Sequence, residues 1–309
     1  MKPLPLGRSS LVSSRLAYGC WRIATDADQA VNYATAKAAI FAAIDAGYTF
    51  FDHADIYCDG EAERVFGRIL RENPGLRQRM TIATKGGIRF KGRPVGAPVR
   101  YDFSRSHLIA QCELSLRQLG VDVIDLLHLH RPDYLMDADE VAGVFDELRQ
   151  AGKVREFGVS NFSPSQVSLL QSRLAFPLVV NQVEVSLLQL YALHDGTLDQ
   201  CQERQMTPLA WSPLGAGLLA SGGKDLLPGQ RHYDPSRVIP VLDRIAQDRG
   251  TVREVIALAW LLKHPSKMIP IVGSTDPDQI RKLASAVDVE LTCEEWYHLV
   301  TAARGAEMP

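Results

Sequence analysis

The sequence lacks the features that place a protein in a membrane or outside the cell. No run of about 18 apolar residues is present, so no membrane-spanning helix is predicted. The first residues, Met1–Pro5, contain no apolar segment of the kind found in signal peptides. The five cysteines are odd in number and scattered, and no two are spaced as Cys-x-x-Cys. We therefore expect a cytoplasmic protein whose thiols are reduced.

Neither positive nor negative charge is in large excess in the sequence. The chain has 34 basic and 36 acidic residues, which gives a formal net charge of −2, and the two signs are interspersed. Binding to nucleic acid or to an anionic membrane generally uses a surplus of positive charge. The composition therefore predicts no nucleic-acid partner and no membrane partner, and no apolar stripe indicates an obligate protein partner.

The sequence does contain a regular alternation of apolar strands and amphipathic helices. The 309 residues are 46% hydrophobic and 23% charged, which is typical of a globular chain with a large core. The predicted strands are Leu16–Cys20, Tyr48–Phe51, Thr81–Thr84, Val123–Leu129, Arg155–Val159, Leu178–Val183, Pro208–Trp211 and Met268–Val272. The predicted helices are Tyr33–Ala46, Glu61–Arg71, His107–Leu119, Asp139–Ala151, Ser165–Arg173, Gly196–Arg204, Val252–Lys263, Pro277–Ala286 and Cys293–Arg304.

This alternation favours one α/β fold. The strands are apolar throughout, as a parallel sheet buried on both faces requires. Eight strand–helix units predict a closed (β/α)8 TIM barrel with an N-terminal β-hairpin over residues 4–16 and an extra C-terminal helix. An open doubly wound sheet is the alternative. No break in composition marks a boundary, so residues 1–309 are predicted to form a single domain, with Gly215–Asp234 as a long functional loop.

Polar residues lie where three successive strands end. Asp52 and Tyr57 follow one strand, Lys85 follows the next, and His130 follows the third. Catalytic groups are commonly placed where a rigid strand continues into an accessible loop. The sequence therefore makes these four residues candidates for one catalytic site.

The four side chains suit the reduction of a carbonyl group, which needs hydride at the carbon and a proton at the oxygen. Tyr57 can donate the proton if the ammonium of Lys85 lowers its pKa from about 10. Asp52 would keep Lys85 protonated, and His130 could donate a hydrogen bond to the substrate oxygen or polarise Tyr57. The alternative is an ordinary buried Asp–Lys ion pair that a tyrosine and a histidine neighbour by chance.

A dinucleotide-binding pattern of the Rossmann type also occurs, at Gly215–Ala220. Its context is unfavourable, because Pro213 lies just ahead and no clear strand leads to an acidic residue about 20 positions further on. We expect the glycines to let a loop pass close to a ligand instead.

Histidines and Lys85 allow two further interpretations. His128 and His130 share one face of a strand and His53 ends another, but no HExxH motif, facial triad or thiolate pair accompanies them, so no metal site is predicted. His128 is flanked by leucines, and we expect a core histidine whose nitrogens are hydrogen-bonded. Lys85 would also suit a Schiff-base lysine, which spacing alone does not exclude.

Five sequence blocks together resemble the aldo-keto reductase family over nearly the whole chain. Three are similar to its catalytic blocks: Phe51–Tyr57 (FDHADIY), Thr84–Gly87 (TKGG) and Ile124–Asp133 (IDLLHLHRPD). Two are similar to its cofactor blocks: Gly158–Phe162 (GVSNF) and Trp211–Leu214 (WSPL). The C-terminal region, with ALAW at 257–260, IPIVGS at 269–274 and EEWY at 294–297, resembles the bacterial YdhF-type subgroup. The combination is highly specific and implies the (β/α)8 barrel.

The resemblance implies roles for individual residues. Tyr57 would be the general acid, with Asp52, Lys85 and His130 completing the catalytic set. The nicotinamide dinucleotide would be held by Gly19, Cys20, Trp21, Ser160, Asn161, Gln182, Trp211, Ser212, Pro213, Leu214, Gly215, Gly217, Gly273, Ser274, Thr275 and Gln279. Within that set, the nicotinamide carboxamide would contact Ser160, Asn161 and Gln182. Trp211 would stack on the ring, 212–215 would bind the pyrophosphate, and 273–275 with Gln279 would surround the adenosine 2′-phosphate.

The segment that the resemblance assigns to the 2′-phosphate departs from many family members. They place a lysine where Gly273 stands and an arginine where Gln279 stands. The arrangement here is similar to that of the potassium-channel β-subunits of the family, which bind NADPH. Hydroxyl groups and the backbone N–H groups of the helix that begins at Pro277 would hold the phosphate, with added charge from Arg281 or Lys282. NADP(H) is therefore the expected cofactor, with NAD(H) as the alternative.

The function implied is that of an NAD(P)-dependent oxidoreductase that reduces small aldehydes or ketones to alcohols, so the expected partner is a small-molecule carbonyl substrate. Two other classes stay open. One is a nicotinamide-binding sensor or partner subunit with little turnover, and the other is an NAD-dependent alcohol or sugar dehydrogenase. Substrate specificity is expected to reside in Trp21, which would form a wall of the substrate site, and in the loops Ile88–Tyr101 and Gly215–Asp234.

Overall fold

The computed structural model of the protein describes residues 1–24, 33–220 and 226–309. The strands are β1 (Leu4–Pro5), β2 (Val12–Ser13), β3 (Ala17–Gly19), β4 (Phe50–Asp52), β5 (Thr81–Gly86), β6 (Ile88–Arg89), β7 (Arg100–Tyr101), β8 (Ile124–Leu129), β9 (Val154–Ser160), β10 (Val180–Glu184), β11 (Thr207–Trp211) and β12 (Ile269–Val272). The helices are α1 (Tyr33–Asp45), α2 (Glu61–Glu72), α3 (Arg105–Leu119), α4 (Ala138–Gln150), α5 (Pro164–Gln171), α6 (Thr197–Arg204), α7 (Val238–Asp248), α8 (Arg253–Lys263), α9 (Pro277–Ala284) and α10 (Cys293–Arg304).

Eight of these strands form a closed parallel barrel in the order β3–β4–β5–β8–β9–β10–β11–β12. The ring closes where Ile271 and Val272 of β12 pair with Ala17 and Tyr18 of β3. Because all eight strands run in the same direction, their carboxyl ends lie at one mouth of the barrel. Residues at or just after those ends therefore share one face of the protein.

The hairpin β1–β2 closes the opposite end of the barrel. Leu6 and Leu11, in its turn, are buried against apolar side chains of the barrel interior such as Phe50 and Leu126. Gly7 has a φ of +54°, and a Cβ atom there would lie 2.6 Å from the carbonyl oxygen of Val179. Only glycine allows both this left-handed conformation and this close approach, so the turn can seal the floor of the barrel.

The structure confirms the predicted barrel, the N-terminal hairpin and the C-terminal helix. Each predicted barrel strand and helix is present, and their ends differ from the prediction by no more than two residues. Thr292 and Glu295 form a capping box at the start of α10. None of the helices in the described ranges is long and apolar enough to cross a membrane.

One helix and two short strands were not predicted. Helix α7 lies in a stretch for which the sequence analysis gave no element, and strands β6 and β7 pair within the loop that follows Lys85. The predicted loop Gly215–Asp234 contains short 3-10 turns at Gly215–Gly217 and Pro228–Gln230, and its residues 221–225 lie outside the described part of the chain.

Candidate active site

The polar residues predicted at strand ends meet at one mouth of the barrel. Asp52 ends β4 and pairs in register with Ala83 of β5, and Lys85 lies two residues further along β5. The backbone N–H of His130 donates to the carbonyl oxygen of Gly86 at 2.9 Å, which extends the pairing of β5 and β8 beyond the end of β8. The register of three neighbouring strands therefore positions all three side chains.

Tyr57 lies at the same mouth of the barrel, in the turn between β4 and α2. Its backbone N–H donates to the carbonyl oxygen of Ala54 at 3.1 Å. Its ring stacks on that of Trp21, with centroids 6.0 Å apart, and meets the ring of His130 edge-on at 6.1 Å. These contacts on two sides hold the phenol at the barrel mouth.

Lys85 is buried, and its ammonium uses all three of its donors. Its Nζ donates to Asp52 Oδ2 at 2.7 Å, to the carbonyl oxygen of His53 at 2.7 Å and to Tyr57 Oη at 3.1 Å. Burial opposes the charged form, but the charges and hydrogen bonds of Asp52 and Tyr57 outweigh it and raise the pKa of Lys85. Lys85 is therefore charged at neutral pH.

Lys85 does not lower the pKa of Tyr57 overall, contrary to the prediction. Burial of the phenol has the largest effect, and although Lys85 acts in the opposite direction, the pKa of Tyr57 is raised from its ordinary value. Tyr57 is thus a neutral phenol at neutral pH. Because an ammonium can only donate, Tyr57 Oη accepts from Lys85, and the phenolic hydrogen stays available for another acceptor.

His130 is neutral as well. Burial, the charge of Lys85 and the charge of Arg131 lower the pKa of His130 well below its usual value. Its Nδ1 is buried with no hydrogen-bond partner among the described residues. A neutral imidazole can donate one hydrogen bond from either nitrogen, so His130 is available as a hydrogen-bond donor to an oxygen atom in the cleft.

The carboxyl groups of the buried Glu63 and the half-buried Asp55 also interact with Lys85, and neither was predicted to belong to the site. Glu63 of α2 accepts a hydrogen bond from Thr84 Oγ1 at 2.6 Å and another from Ser115, and burial raises its pKa to about 7. Burial and the neighbouring Glu63 raise the pKa of Asp55 well above its usual value. Burial therefore favours the neutral forms of these carboxyl groups, while the charge of Lys85 lowers both pKa values.

His128 and His53 also lie in this buried region. Burial, followed by the charge of Lys85, lowers the pKa of His53 to about 3 and that of His128 well below its usual value. His128 is a core residue as predicted, but neither of its ring nitrogens has a hydrogen-bond partner among the described residues, contrary to the prediction. Within the described ranges, no three histidine, cysteine, aspartate or glutamate side chains lie close enough together to hold a metal ion.

The raised pKa of Glu63 predicts a specific dependence of stability on pH. The folded protein binds this proton more tightly than the unfolded chain, whose glutamate has a pKa near 4.5. Glu63 therefore stabilises the fold below about pH 4.5, and this contribution is lost as pH rises through about 7. A shift of about 2.5 pKa units corresponds to about 3 kcal/mol, so Glu63→Gln should gain about that much relative to the wild type between pH 4.5 and pH 8.

Urea unfolding of both proteins across this pH range measures the difference. The matched control is Glu61→Gln, on the same helix, because Glu61 is partly exposed in an ion pair with Arg64. Parallel stability curves for the wild type and Glu63→Gln would show that Glu63 does not hold its proton in the folded state.

A cleft of about 680 Å³ runs across the barrel mouth beside these residues. Asp52, Tyr57 and His130 line it, whereas Lys85 lies behind them. Of the residues predicted to hold a dinucleotide, the cleft is lined by Gly19, Trp21, Ser160, Asn161, Gln182, Trp211, Ser212, Pro213, Leu214, Gly217, Gly273, Ser274, Thr275 and Gln279.

Two predicted cofactor residues lie elsewhere. Cys20 is fully buried, its thiol contacts the carbonyl oxygen of Tyr18 at 3.9 Å, and it does not line the cleft. Gly215 has a φ of +56°, and a Cβ atom there would lie 2.6 Å from Leu188 Cδ1. Packing against Leu188 and the positive φ therefore require glycine at 215.

Amide and hydroxyl groups surround one end of the cleft. Asn161 Nδ2 donates to Ser160 Oγ at 2.8 Å, and Trp211 Nε1 donates to Asn161 Oδ1 at 3.0 Å. Gln182 Nε2 donates to Asp52 Oδ1 at 2.9 Å, so this amide links the cleft wall to the ion pair of Lys85. The network fixes the indole of Trp211 against the polar wall.

The other end of the cleft is formed by the start of α9, and here an expectation fails. Asp276 Oδ1 accepts hydrogen bonds from the backbone N–H groups of Asp278 and Gln279. Two of the helix donors that were expected to hold a phosphate are therefore occupied by this cap. Ser274 Oγ donates its hydrogen to the side chain of Gln279 at 2.5 Å, and Thr275 lies next to it at the cleft wall.

Neither of the cations expected to add charge at this end lines the cleft. Arg281 pairs with Asp278 at 3.0 Å on the exposed face of α9, and Lys282 follows it on the helix. Arg22, which the sequence analysis did not select, lines the cleft instead. A Cβ atom built on Gly273 would lie 3.5 Å from Arg22 Nη1, so the guanidinium adjoins the space that a side chain at 273 would fill.

The chemistry of this mouth defines a class of enzyme. A neutral phenol beside a charged lysine can pass a proton to or from an oxygen atom, and the adjoining long cleft offers room for a dinucleotide. That combination belongs to NAD(P)-dependent oxidoreductases of carbonyl and hydroxyl groups. Comparison of sequences identifies the family: the profile of the Aldo/keto reductase family matches residues 15–303, and the chain belongs to this family.

Known relatives agree with this assignment. The chain is 41% identical to a 6-dehydroglucose reductase of Agrobacterium fabrum over 96% of either chain. It is 40% identical to the oxidoreductase YdhF of Escherichia coli over 96% of this chain and 95% of that one. Among solved structures, the glycerol dehydrogenase of Gluconobacter oxydans superposes with a TM-score of 0.86 at 27% identity, over 99% of this chain and 97% of that one.

Proposed function

We propose that the protein reduces the carbonyl group of small aldehydes or ketones with NADPH as cofactor. The observation that carries this proposal is the orientation of hydrogen bonds at Tyr57. Its hydroxyl oxygen accepts from Lys85 at 3.1 Å, so its own hydrogen is free to be donated into the cleft. A proton donor of this kind is what carbonyl reduction requires at the oxygen atom.

The chain's own residues divide the remaining work. A bound reduced nicotinamide supplies hydride to the carbonyl carbon. Tyr57 donates the proton, and the ammonium of Lys85 stabilises the phenolate that develops on Tyr57. Asp52 keeps Lys85 charged from the far side at 2.7 Å. Neutral His130 donates a hydrogen bond to the carbonyl oxygen and orients it towards Tyr57.

The polar end of the cleft suits the nicotinamide. A carboxamide needs both a donor and an acceptor, and Ser160 and Asn161 offer a hydroxyl and an amide on one wall. Trp211 supplies an aromatic face for stacking, held in place by its bond to Asn161. These groups fit the cofactor that the family membership implies.

The opposite end favours the additional phosphate of NADPH. The hydroxyl group of Thr275 can donate to a phosphate, and Arg22 brings a guanidinium to the same wall. Small polar substrates are supported by the names of two relatives, a reductase of 6-dehydroglucose and a dehydrogenase of glycerol.

Cofactor titrations test this assignment. Quenching of tryptophan fluorescence should report binding at Trp211, with a Kd for NADPH of about 1 µM or below and a Kd for NADH at least about tenfold higher. Arg22→Gln should reduce the preference for NADPH by about tenfold or more, because a charge-assisted hydrogen bond is worth about 1.5–3 kcal/mol. Arg281→Gln is the matched control, since Arg281 pairs with Asp278 outside the cleft.

The same proteins are then assayed by following the oxidation of NADPH with a series of aldehydes and ketones. Turnover below about 1 s⁻¹ with every carbonyl compound would favour a sensor or partner subunit, since enzymes typically reach about 10 s⁻¹. Equal or tighter binding of NADH would instead favour an NAD-dependent alcohol or sugar dehydrogenase. An unchanged preference in Arg22→Gln would show that Arg22 does not contact the 2′-phosphate.

A further inference from the structure

Arg131, the residue after His130, brings a second guanidinium to the cleft. Its side chain lines the cleft wall, with Cζ 5.3 Å from the centroid of the Trp211 ring. The charge of Arg131 contributes to the lowered pKa of His130, so the two residues are electrostatic neighbours. Arg131 therefore faces the part of the cleft where the reaction is proposed to occur.

No carboxylate neutralises this guanidinium within the described part of the chain, where its side chain has neither an ion pair nor a hydrogen bond. The carboxylate that influences it electrostatically, Glu184 at the end of β10, lies beyond ion-pair distance and is engaged elsewhere. Glu184 Oε1 accepts from Gln230 Nε2 at 2.6 Å, and Glu184 is also hydrogen-bonded to Tyr233.

Two other arginines of the barrel, unlike Arg131, form ion pairs with a buried carboxylate. Arg77 and Arg155 both pair with the buried Asp125, at 3.0 and 3.1 Å. The cation–π contact of Arg131 with Trp211 satisfies none of the five guanidinium donors. The half-buried Arg131 thus presents unused donors and uncompensated charge to the cleft.

We propose that Arg131 binds an anionic group of the carbonyl substrate, a carboxylate or a phosphate, at the end remote from the reacting carbonyl. This inference rests on the proposed function. The planar fork of a guanidinium matches both anions in a two-point contact. Trp21, Ile56 and Ile88 give the cleft apolar walls that suit a short aliphatic chain between the anion and the carbonyl group.

Matched substrate pairs test the proposal. Succinic semialdehyde is compared with butyraldehyde for a carboxylate, and glyceraldehyde 3-phosphate with glyceraldehyde for a phosphate. For at least one pair, the wild type should show a charged-to-neutral ratio of kcat/KM of about 10 or more. Arg131→Gln should lower that ratio by about tenfold, mainly through KM for the charged substrate, and Arg131→Lys should restore part of it.

Two controls separate this role from others. Arg244→Gln removes one positive charge from an exposed position on α7 and should leave the ratio unchanged. The Kd of NADPH without substrate should be the same in Arg131→Gln and the wild type. An unchanged ratio in Arg131→Gln, or a loss of NADPH affinity as large as the loss of the ratio, would overturn the proposal, the latter by assigning Arg131 to the cofactor.

A binding measurement distinguishes failure of this inference from failure of the proposed function. Succinate and inorganic phosphate are titrated by calorimetry into the wild type and into Arg131→Gln, both saturated with NADP⁺. If no aldehyde is reduced but an anion binds the wild type and not Arg131→Gln, the anion site stands and the reductase function does not. Equal binding by both proteins would overturn the anion site whatever the turnover.

Discussion

Replacement of Tyr57 by phenylalanine is expected to lower kcat for carbonyl reduction by about 10²- to 10⁴-fold, the usual contribution of a general acid. The change removes the phenolic hydrogen that the cleft needs and leaves the ring stacked on Trp21. Lys85 loses one of its three acceptors and keeps Asp52 and the carbonyl oxygen of His53. The loss of stability should therefore stay near 1–2 kcal/mol, roughly the cost of one unmade hydrogen bond.

Single-turnover kinetics with saturating NADPH would measure the chemical step directly. Tyr134→Phe is the matched control, because Tyr134 is 89% exposed in the loop after β8 and loses the same atom. The Kd of NADPH should be similar in all three proteins. Retention of most turnover by Tyr57→Phe would remove Tyr57 as the proton donor and leave His130 as the remaining candidate.

The candidate catalytic set could be predicted because the active-site end of a parallel barrel has a recognisable sequence pattern. Strands buried on both faces read as apolar runs, so Asp52, Lys85 and His130 stand out as polar residues at the ends of such runs. Their proximity follows from parallel pairing, which brings those ends to one mouth. The raised pKa of Tyr57 could not be predicted from the sequence, because it depends on how deeply the phenol is buried. The effect of burial on this pKa outweighs that of the nearby ammonium.

Helix α7 was missed for a local reason. Its sequence contains Pro240, and proline usually argues against a helix interior. Here Pro240 is the third residue of the helix, where backbone N–H groups have no partner in any case. Proline is tolerated there, so the pattern Val238–Asp248 is compatible with a helix that begins just before it.

Glu63 was missed because its burial depends on how two helices pack. A Cβ atom at Gly67 would lie only 2.1 Å from the carbonyl oxygen of Gln118, so α2 and the end of α3 approach closely at that glycine. Glu63 lies one turn earlier on the same face and is carried into contact with Ser115. Nothing in the sequence of α2 alone distinguishes this glutamate from its exposed neighbours.

The start of α9 carries a sequence signal for its own N-cap. Asp276 followed by Pro277 is a typical N-cap and first helical residue, which predicts that the aspartate occupies the helix donors. The hydrogen bonds that Asp276 accepts from the backbone N–H groups of Asp278 and Gln279 confirm this. The position of Arg22 had no such signal, because it depends on the path of the chain beyond β3.

Replacement of Lys85 by methionine is expected to cost about 3–5 kcal/mol of unfolding free energy and to abolish measurable reduction. The change leaves the carboxylate of Asp52, which is 2% exposed, with Gln182 as its remaining hydrogen-bond donor. Removing one partner of a buried ion pair leaves an uncompensated charge in a medium that solvates it poorly. Urea unfolding at neutral pH measures this cost, and the oxidation of NADPH measures the activity.

The double variant Asp52→Asn/Lys85→Met separates stability from catalysis. Asparagine is close in shape to aspartate and can still accept from Gln182, so neutralising both partners should recover most of the lost stability. Activity should stay at least about 10²-fold below the wild type, because no ammonium remains to stabilise the phenolate of Tyr57.

Arg77→Met provides the matched control, because its buried partner Asp125 retains the ion pair with Arg155. Arg77→Met should therefore lower the unfolding free energy much less than Lys85→Met does. If the double variant were no more stable than Lys85→Met, the bonds of Lys85 to His53 and Tyr57 would outweigh its pairing with Asp52. Recovery of stability without recovery of turnover would instead show that the charge of Lys85 is kept for the chemistry at Tyr57. The fold itself would then require only that Asp52 and Lys85 be charged together or neutral together.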